Sequence, residues 1–287
     1  MKMRLFYIQN LYDYFMLKTD KRLFVYIMNL KLFIRRLDCR FYYDRVSNKY
    51  ICHYGMYKKE KIYFYHRTQG NMAYKNGILA RSISIGNAYH LPLINFKDDD
   101  LVVDCGANVG DLFLYFKHRK ILINLVAIEP SPQEYKCLQK NVINAKNNES
   151  FSGQDITTMN VGLFDTKKTL DFFVSSEGAD SSIIRPNFFT NLVKVNVHRL
   201  DELLPNRKIK LLKLEAEGAE PEVLLGCENI LGNIEYISAD LGFERGVEES
   251  STLAPVVNYL LSHGFTLVEV SKGRRVALFK NKSLSRA

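Results

Sequence analysis

Between residues 101 and 280, short apolar runs alternate with longer stretches of helical spacing. Leu101–Cys105, Leu125–Ile128, Leu211–Leu214 and Tyr236–Leu241 are near-continuous apolar runs, as in strands buried on both faces. Helices are predicted at 110–119, 132–145, 221–231 and 252–262, with Pro132 and Pro221 near two starts and Gly264 after the last. Further strands are predicted at 156–164, 169–174 and 193–197, and two closing strands at 265–270 and 275–280 around Lys272-Gly273-Arg274. The alternation predicts an α/β sheet, mostly parallel. The last two strands are too close for a helical crossover and should pair antiparallel, giving an antiparallel C-terminal strand.

The first part of the chain reads differently. Residues 4–37 have helical spacing, with Leu23, Ile27, Leu30, Ile34 and Leu37 on one expected face and Lys21, Arg22, Lys31, Arg35 and Arg36 beside it. Residues 40–70 interleave aromatics (Phe41, Tyr42, Tyr43, Tyr50, Tyr54, Tyr57, Tyr63, Phe64, Tyr65) with basic residues and read as strands or loops. The expected organisation is a basic helical and aromatic accessory region at 1–70 followed by a Rossmann-like domain at 71–287.

Charge sharpens that division. Residues 1–61 hold 14 Lys and Arg against 5 Asp and Glu, which is the whole net charge of +9, while residues 62–287 hold 26 of each sign. A basic amphipathic helix suits an anionic membrane surface or a protein partner, or it simply packs on its own domain. The electroneutral remainder argues against a nucleic-acid partner, since phosphate backbones demand positive charge. Five scattered cysteines without a Cys-x-x-Cys pair suggest neither a zinc site nor a disulfide framework. A reduced, cytoplasmic chain is expected, with a peripheral position on the inner face of a membrane as an alternative; neither a signal peptide nor a spanning segment is read at its start.

The chemistry concentrates in Val103-Asp104-Cys105-Gly106-Ala107-Asn108-Val109-Gly110. A strand running into a glycine turn and a helix start is a platform for a nucleotide-like ligand. The spacing departs from the Gly-x-Gly-x-x-Gly dinucleotide fingerprint, and an acid sits where a pyrophosphate would be repelled. Asp104 could instead attract a cation, as S-adenosylmethionine presents through its ammonium and sulfonium. Glu129 ends the next apolar run, where a ribose-binding acid is expected. The cofactor-binding candidates are therefore Asp104, Gly106, Ala107, Asn108, Gly110 and Glu129, with Asn160 placed toward the adenine. The bland alternative is that these acids only cap turns.

These residues resemble the FkbM-type S-adenosylmethionine-dependent methyltransferases. The resemblance rests on the block above with Ile128-Glu129-Pro130-Ser131-Pro132, on Leu200-Asp201-Glu202-Leu203 leading to Leu212-Lys213-Leu214-Glu215-Ala216-Glu217-Gly218-Ala219-Glu220, and on Asp240-Leu241-Gly242-Phe243-Glu244-Arg245-Gly246 with Arg275-Val276-Ala277-Leu278-Phe279. It covers roughly residues 97–281, and Glu215-Ala216 stand where the family usually has Asp-Val. The resemblance implies a class I methyltransferase fold, S-adenosylmethionine as cofactor, and O-methylation of a sugar hydroxyl in glycan or secondary-metabolite biosynthesis. Other small-molecule or lipid-linked acceptors, or a non-catalytic module in a glycan-assembly complex, stay open.

Methyl transfer to a hydroxyl needs a base at the acceptor oxygen. Glu215 and Glu217, two apart after a strand, would face the same side if the strand continued, with Asp240 at the next strand end in support. His198 is the candidate base by intrinsic pKa. The alternative for Glu217-Gly218-Ala219-Glu220 is a helix start that favours acids. A divalent cation among Glu215, Glu217 and Asp240 is the lesser option, because no dedicated ligand spacing is visible. Asp180-Ser181-Ser182 either borders the ligand or forms an ordinary turn.

Overall fold

A computed structural model describes residues 15–16, 18–55, 60–146, 155–175 and 180–286. The predicted helical stretch at 4–14 and Tyr57 lie outside these residues. The described residues divide into two compact units at Ser82/Ile83.

In the first unit, helix α1 (Lys21–Ile34) packs on an antiparallel sheet of β1 (Cys39–Asp44), β2 (Lys49–Tyr54) and β3 (Glu60–Phe64). Asp20 caps α1, accepting from Arg22 N at 2.8 Å and Leu23 N at 3.4 Å, so the helix starts afresh here and does not run unbroken through Asp20. The buried face is not the expected one. Phe24, Met28 and Leu32 are buried, whereas Leu23, Leu30 and Ile34 are exposed. Side-chain fit decides it: Phe24 meets Phe41 and Tyr50 edge-on, at centroid distances of 6.4 and 5.2 Å, and Phe64 stacks on Tyr50 and Tyr74. Asn29 holds the register by bonding both backbone groups of Phe41, at 2.9 and 2.7 Å. The aromatic run of 40–70 is thus a core, with Phe41, Tyr50 and Phe64 buried in it.

The second unit, from Ile83 onward, holds a seven-stranded sheet. Helix α2 (Ile78–Ala88) leads into it, followed by β4 (Leu101–Cys105), α3 (Leu112–Arg119), β5 (Asn124–Ile128), α4 (Pro132–Lys146) and β6 (Ile156–Met159). Next come β7 (Gly162–Leu163), β8 (Lys168–Val174), β9 (Asn191–His198) and α5 (Leu200–Leu203). The chain finishes with β10 (Ile209–Leu214), α6 (Glu220–Leu225), β11 (Ile234–Asp240), α7 (Leu253–Ser262), β12 (Phe265–Val270) and β13 (Val276–Asn281). The strand order is β12-β13-β11-β10-β4-β5-β6, all parallel except β13, which runs antiparallel to both neighbours.

Alternate strand residues feed two cores. Val103, Val126, Leu212 and Ile237 pack with Val223 of α6 and Leu260 of α7 on one face. Val102, Leu125, Leu211 and Tyr236 pack with Phe116 of α3 and Leu138 of α4 on the other. This is the expected doubly covered, mostly parallel α/β sheet. Two details differ from expectation. Strands β7, β9 and β8 form a separate small sheet over Phe164, Phe172 and Val197. The helix predicted at 221–231 stops at Leu225, and a tighter turn takes over at Glu228–Asn233; Gly226 between them packs so closely on Phe164 that a Cβ would lie 2.1 Å from its carbonyl oxygen.

The sheet order reverses beside β4: β5 and β6 lie on one side, β10 and β11 on the other. Ligands of open α/β sheets bind beyond the carboxyl ends of the strands at such a switch point.

Candidate active site

The turn after β4 is built from backbone that most residues avoid. Gly106, Asn108 and Gly110 have φ of +72°, +50° and +89°. Gly106 is required twice over, since a Cβ there would also lie 2.0 Å from the carbonyl oxygen of Glu215. Gly106 N and Ala107 N both donate to Ile128 O at 3.0 Å, tying the turn to β5. Glu129 closes it from β5: Oε2 accepts from Asn108 N at 2.7 Å and Oε1 from Ser131 N at 2.8 Å. Each carboxylate oxygen keeps a lone pair for a ligand hydroxyl. Burial, reinforced by Glu134, raises the Glu129 pKa to about 8. Asn160 donates to the carbonyls of Glu129 and Pro130 at 2.8 and 3.0 Å, so its amide nitrogen supports this corner instead of reaching out to an adenine.

Beside the turn lies a chain of buried charges. Asp104 is 1% exposed, and Lys213, its register partner on β10, places Nζ 3.1 Å from Oδ1. The same ammonium donates to the carbonyls of Cys105 and Gly106 at 3.1 and 2.7 Å and meets Glu215 Oε2 at 2.9 Å. Arg274, from the β12–β13 hairpin, bonds Glu215 Oε1 at 2.8 Å and reaches Asp240 through Nε at 2.9 Å. Tyr89 lies beneath both cations, its ring centroid 5.2 Å from Lys213 Nζ and 5.9 Å from the Arg274 guanidinium. Three carboxylates and two cations leave this group one negative charge in excess.

These contacts change the roles expected of the acids. Burial alone would raise the Glu215 pKa, but Lys213 and Arg274 hold it down at about 2. A carboxylate so stabilised is a weak base, so Glu215 is a structural anion. Asp240 meets Glu215 only through Arg274. The same-side argument for Glu215 and Glu217 fails because β10 ends at Leu214 and Glu217 adopts φ +48°.

Glu217 instead sits in a braced turn. Ser182 Oγ donates to Glu217 O at 2.6 Å, which gives the Asp180-Ser181-Ser182 loop its task. Arg245 donates to Gly218 O, and Glu220 Oε1 accepts from Ala216 N and Gly218 N at 2.8 and 3.2 Å. Glu220 is thus the turn-capping acid at the start of α6. Among the described residues, no hydrogen bond or ion pair engages the Glu217 carboxylate. Burial, then Glu215, Glu244 and Asp180, push its pKa well above the usual range. Glu244, on the loop after β11, is raised to about 7 by burial and Asp240.

His198 is elsewhere. It ends β9 in the small sheet, its carbonyl accepts from Phe164 N, and Phe164 in turn abuts Gly226 beyond the far end of α6. Among the described residues, no hydrogen bond links its ring to the carboxylates. Lys213, Arg274, Tyr89 and Glu244 were not singled out from the sequence. Only Lys213 carried a signal there: a lysine inside Leu211-Leu212-Lys213-Leu214 has to be paired. Among the described residues no group of three or more His, Cys, Asp or Glu side chains is arranged to hold a metal ion, and all five cysteines are buried thiols outside any disulfide.

The chain is similar to two curated fungal proteins. Methyltransferase 1 of Beauveria bassiana (strain ARSEF 2860) is 28% identical over 155 residues, covering 47% of this chain and 61% of that protein. Methyltransferase sdnD of Sordaria araneosa is 28% identical over 169 residues, covering 47% and 63%. The chain thus spans about three fifths of the length of these relatives. Among solved structures, the methyltransferase FkbM of Methylobacillus flagellatus KT aligns with a TM-score of 0.48 at 19% identity, over 66% of this chain and 45% of that one. The model of the methyltransferase FkbM domain matches residues 104–267, from the acid of the β4 turn into β12 and across more than half of the chain. On that match, the chain belongs to the methyltransferase FkbM domain family.

Proposed function

We propose that the chain is an S-adenosylmethionine-dependent O-methyltransferase acting on a hydroxyl of a sugar-containing acceptor. The observation that carries this reading is the pairing of two differently tuned acid groups at neighbouring strand ends. Lys213 bridges Asp104 and Glu215 and holds Glu215 ionised even though burial raises the Asp104 pKa, whereas Glu217 and Glu244 are raised and, among the described residues, meet no ion pair. Groups whose surroundings push their pKa values apart divide binding from proton transfer.

The donor set fits the cofactor. Glu129 would take the ribose diol with its remaining lone pairs, and the excess negative charge around Asp104 would face the cationic amino-acid end. Bound there, the cofactor supplies a methyl carbon activated by its positive sulfur. The chain's own task is to hold an acceptor oxygen in line and to receive its proton. Glu217 is the residue best suited to that proton, at the strand end adjoining the β4 turn, with Glu244 as the second candidate. A base of this kind contributes on the order of 10²–10⁴-fold. The sugar class and the place in glycan or secondary-metabolite biosynthesis rest on the family resemblance, and the cytoplasmic expectation rests on the scattered cysteines.

Calorimetry of the full chain with S-adenosylhomocysteine tests the first part: saturable binding that is lost in Asp104→Ala supports the reading. No heat at high protein concentration would point to a non-catalytic module. Incubation with S-adenosylmethionine and a panel of free sugars, nucleotide sugars and glycans, read by mass spectrometry, tests the second.

A further inference from the structure

Helix α1 carries apolar residues on two opposite faces, and its fold covers one. Phe24, Met28 and Leu32 are fully buried on the β1–β3 sheet. Leu23, Tyr26, Leu30, Phe33 and Ile34 are 44%, 66%, 46%, 68% and 70% exposed. At ~100° per residue these five share an arc of about 100°, roughly opposite the buried row. Single exposed apolar side chains are ordinary, but a contiguous row of five marks a surface that something else covers.

Charge identifies what covers it. Exposed Arg22 stands on one border of the arc, and exposed Arg35 and Arg36 follow directly after its C-terminal end. The segment that contains it holds all of the chain's net +9. A nucleic acid would match the charge and leave the apolar row in water. An anionic lipid surface matches both. At 14 residues, α1 is about 21 Å long, too short to cross a bilayer, and among the described residues no helix is long and apolar enough to do so. It can only lie in the interface plane.

We propose that this face of α1 docks on an anionic phospholipid bilayer, with Leu23, Leu30, Phe33 and Ile34 at the boundary between acyl chains and headgroups. Tyr26 keeps its hydroxyl among the headgroups, and Arg22 and Arg36 meet lipid phosphates. This inference does not depend on the methyl-transfer reading, since no residue of α1 belongs to the candidate site.

The chain has no tryptophan, so Phe33→Trp introduces a single reporter on the proposed face. The full-length variant would be mixed with vesicles of phosphatidylcholine alone or with phosphatidylglycerol. The expected result is a blue shift and quenching by brominated acyl chains with the anionic vesicles only, reversed by high salt. A Tyr26→Ser, Phe33→Ser, Ile34→Ser triple variant should sediment with those vesicles at least about tenfold less, with unchanged melting temperature. Three results would overturn the proposal: an emission already blue-shifted without lipid, meaning residues 1–14 or a second copy cover the face; equal binding to neutral vesicles; or undiminished binding by the triple variant.

Discussion

Lys213 and Asp104 face each other as register partners on β10 and β4, with Nζ 3.1 Å from Oδ1 and both side chains almost wholly buried. Because the same ammonium also holds two carbonyls of the β4 turn and Glu215, it is the electrostatic centre of the site.

Lys213→Met should therefore cost about 3–5 kcal/mol near neutral pH, the usual consequence of leaving buried charges without their partner. The deficit should depend on pH. The folded pKa of Glu215 lies at about 2, below the ordinary value of 4.5, so its stabilising contribution is present above pH 4.5 and is lost as pH falls through about 2. Denaturant titrations should show the variant's deficit largest above pH 4.5 and narrowing toward pH 2. A pH-independent deficit would contradict the role given to the pair.

Glu244→Gln should behave in the opposite sense. The folded pKa of Glu244 is raised from 4.5 to about 7, so the native state holds a proton that the unfolded chain releases, and wild-type stability falls as pH rises from 4.5 through about 7. The neutral variant escapes that loss. Its melting temperature should equal that of the wild type at pH 4 and exceed it at pH 8.

Gly106→Ala and Gly55→Ala separate two costs of a left-handed glycine. Both residues have positive φ, +72° and +87°, but only at Gly106 would the added Cβ meet backbone, while at Gly55 nothing lies within 4 Å. Gly55→Ala should cost roughly 1–2 kcal/mol from backbone conformation alone. Gly106→Ala should cost more and should abolish calorimetric binding of S-adenosylhomocysteine, which Gly55→Ala leaves intact.

If Glu129 accepts ribose hydroxyls as a carboxylate, its raised pKa of about 8 makes cofactor affinity pH-dependent. Binding of S-adenosylhomocysteine should tighten as pH rises from 6.5 to 8.5, with protons released to the buffer. Calorimetry in buffers of different ionisation enthalpy measures that release. Glu129→Gln should bind more weakly and without the pH dependence.

The sheet, the glycine turn and the Glu129 strand end were legible in the sequence because each depends on local spacing. What escaped depends on tertiary neighbours. Helix α1 has two apolar rows of equal helical spacing, and periodicity cannot choose between Leu23-Leu30-Ile34 and Phe24-Met28-Leu32; contact with Phe41 and Tyr50 does. Glu215 looked like a base because nothing local shows that Arg274, 59 residues on, will reach it. Glu217 and Glu215 looked co-facial only while the strand was assumed to continue.

Strand β13 lies between β11 and β12 although it is made after both. As the nascent chain leaves the ribosome, β12 emerges with no partner on the growing sheet, and the open edge of β11 waits with it. Only when Val276–Asn281 is synthesised can both edges close, and the hairpin bearing Arg274 is set at the same moment. Assembly of the large sheet is thus deferred to its last strand, so a ribosome-stalled product ending before β13 should carry two unsatisfied strand edges and attract chaperones.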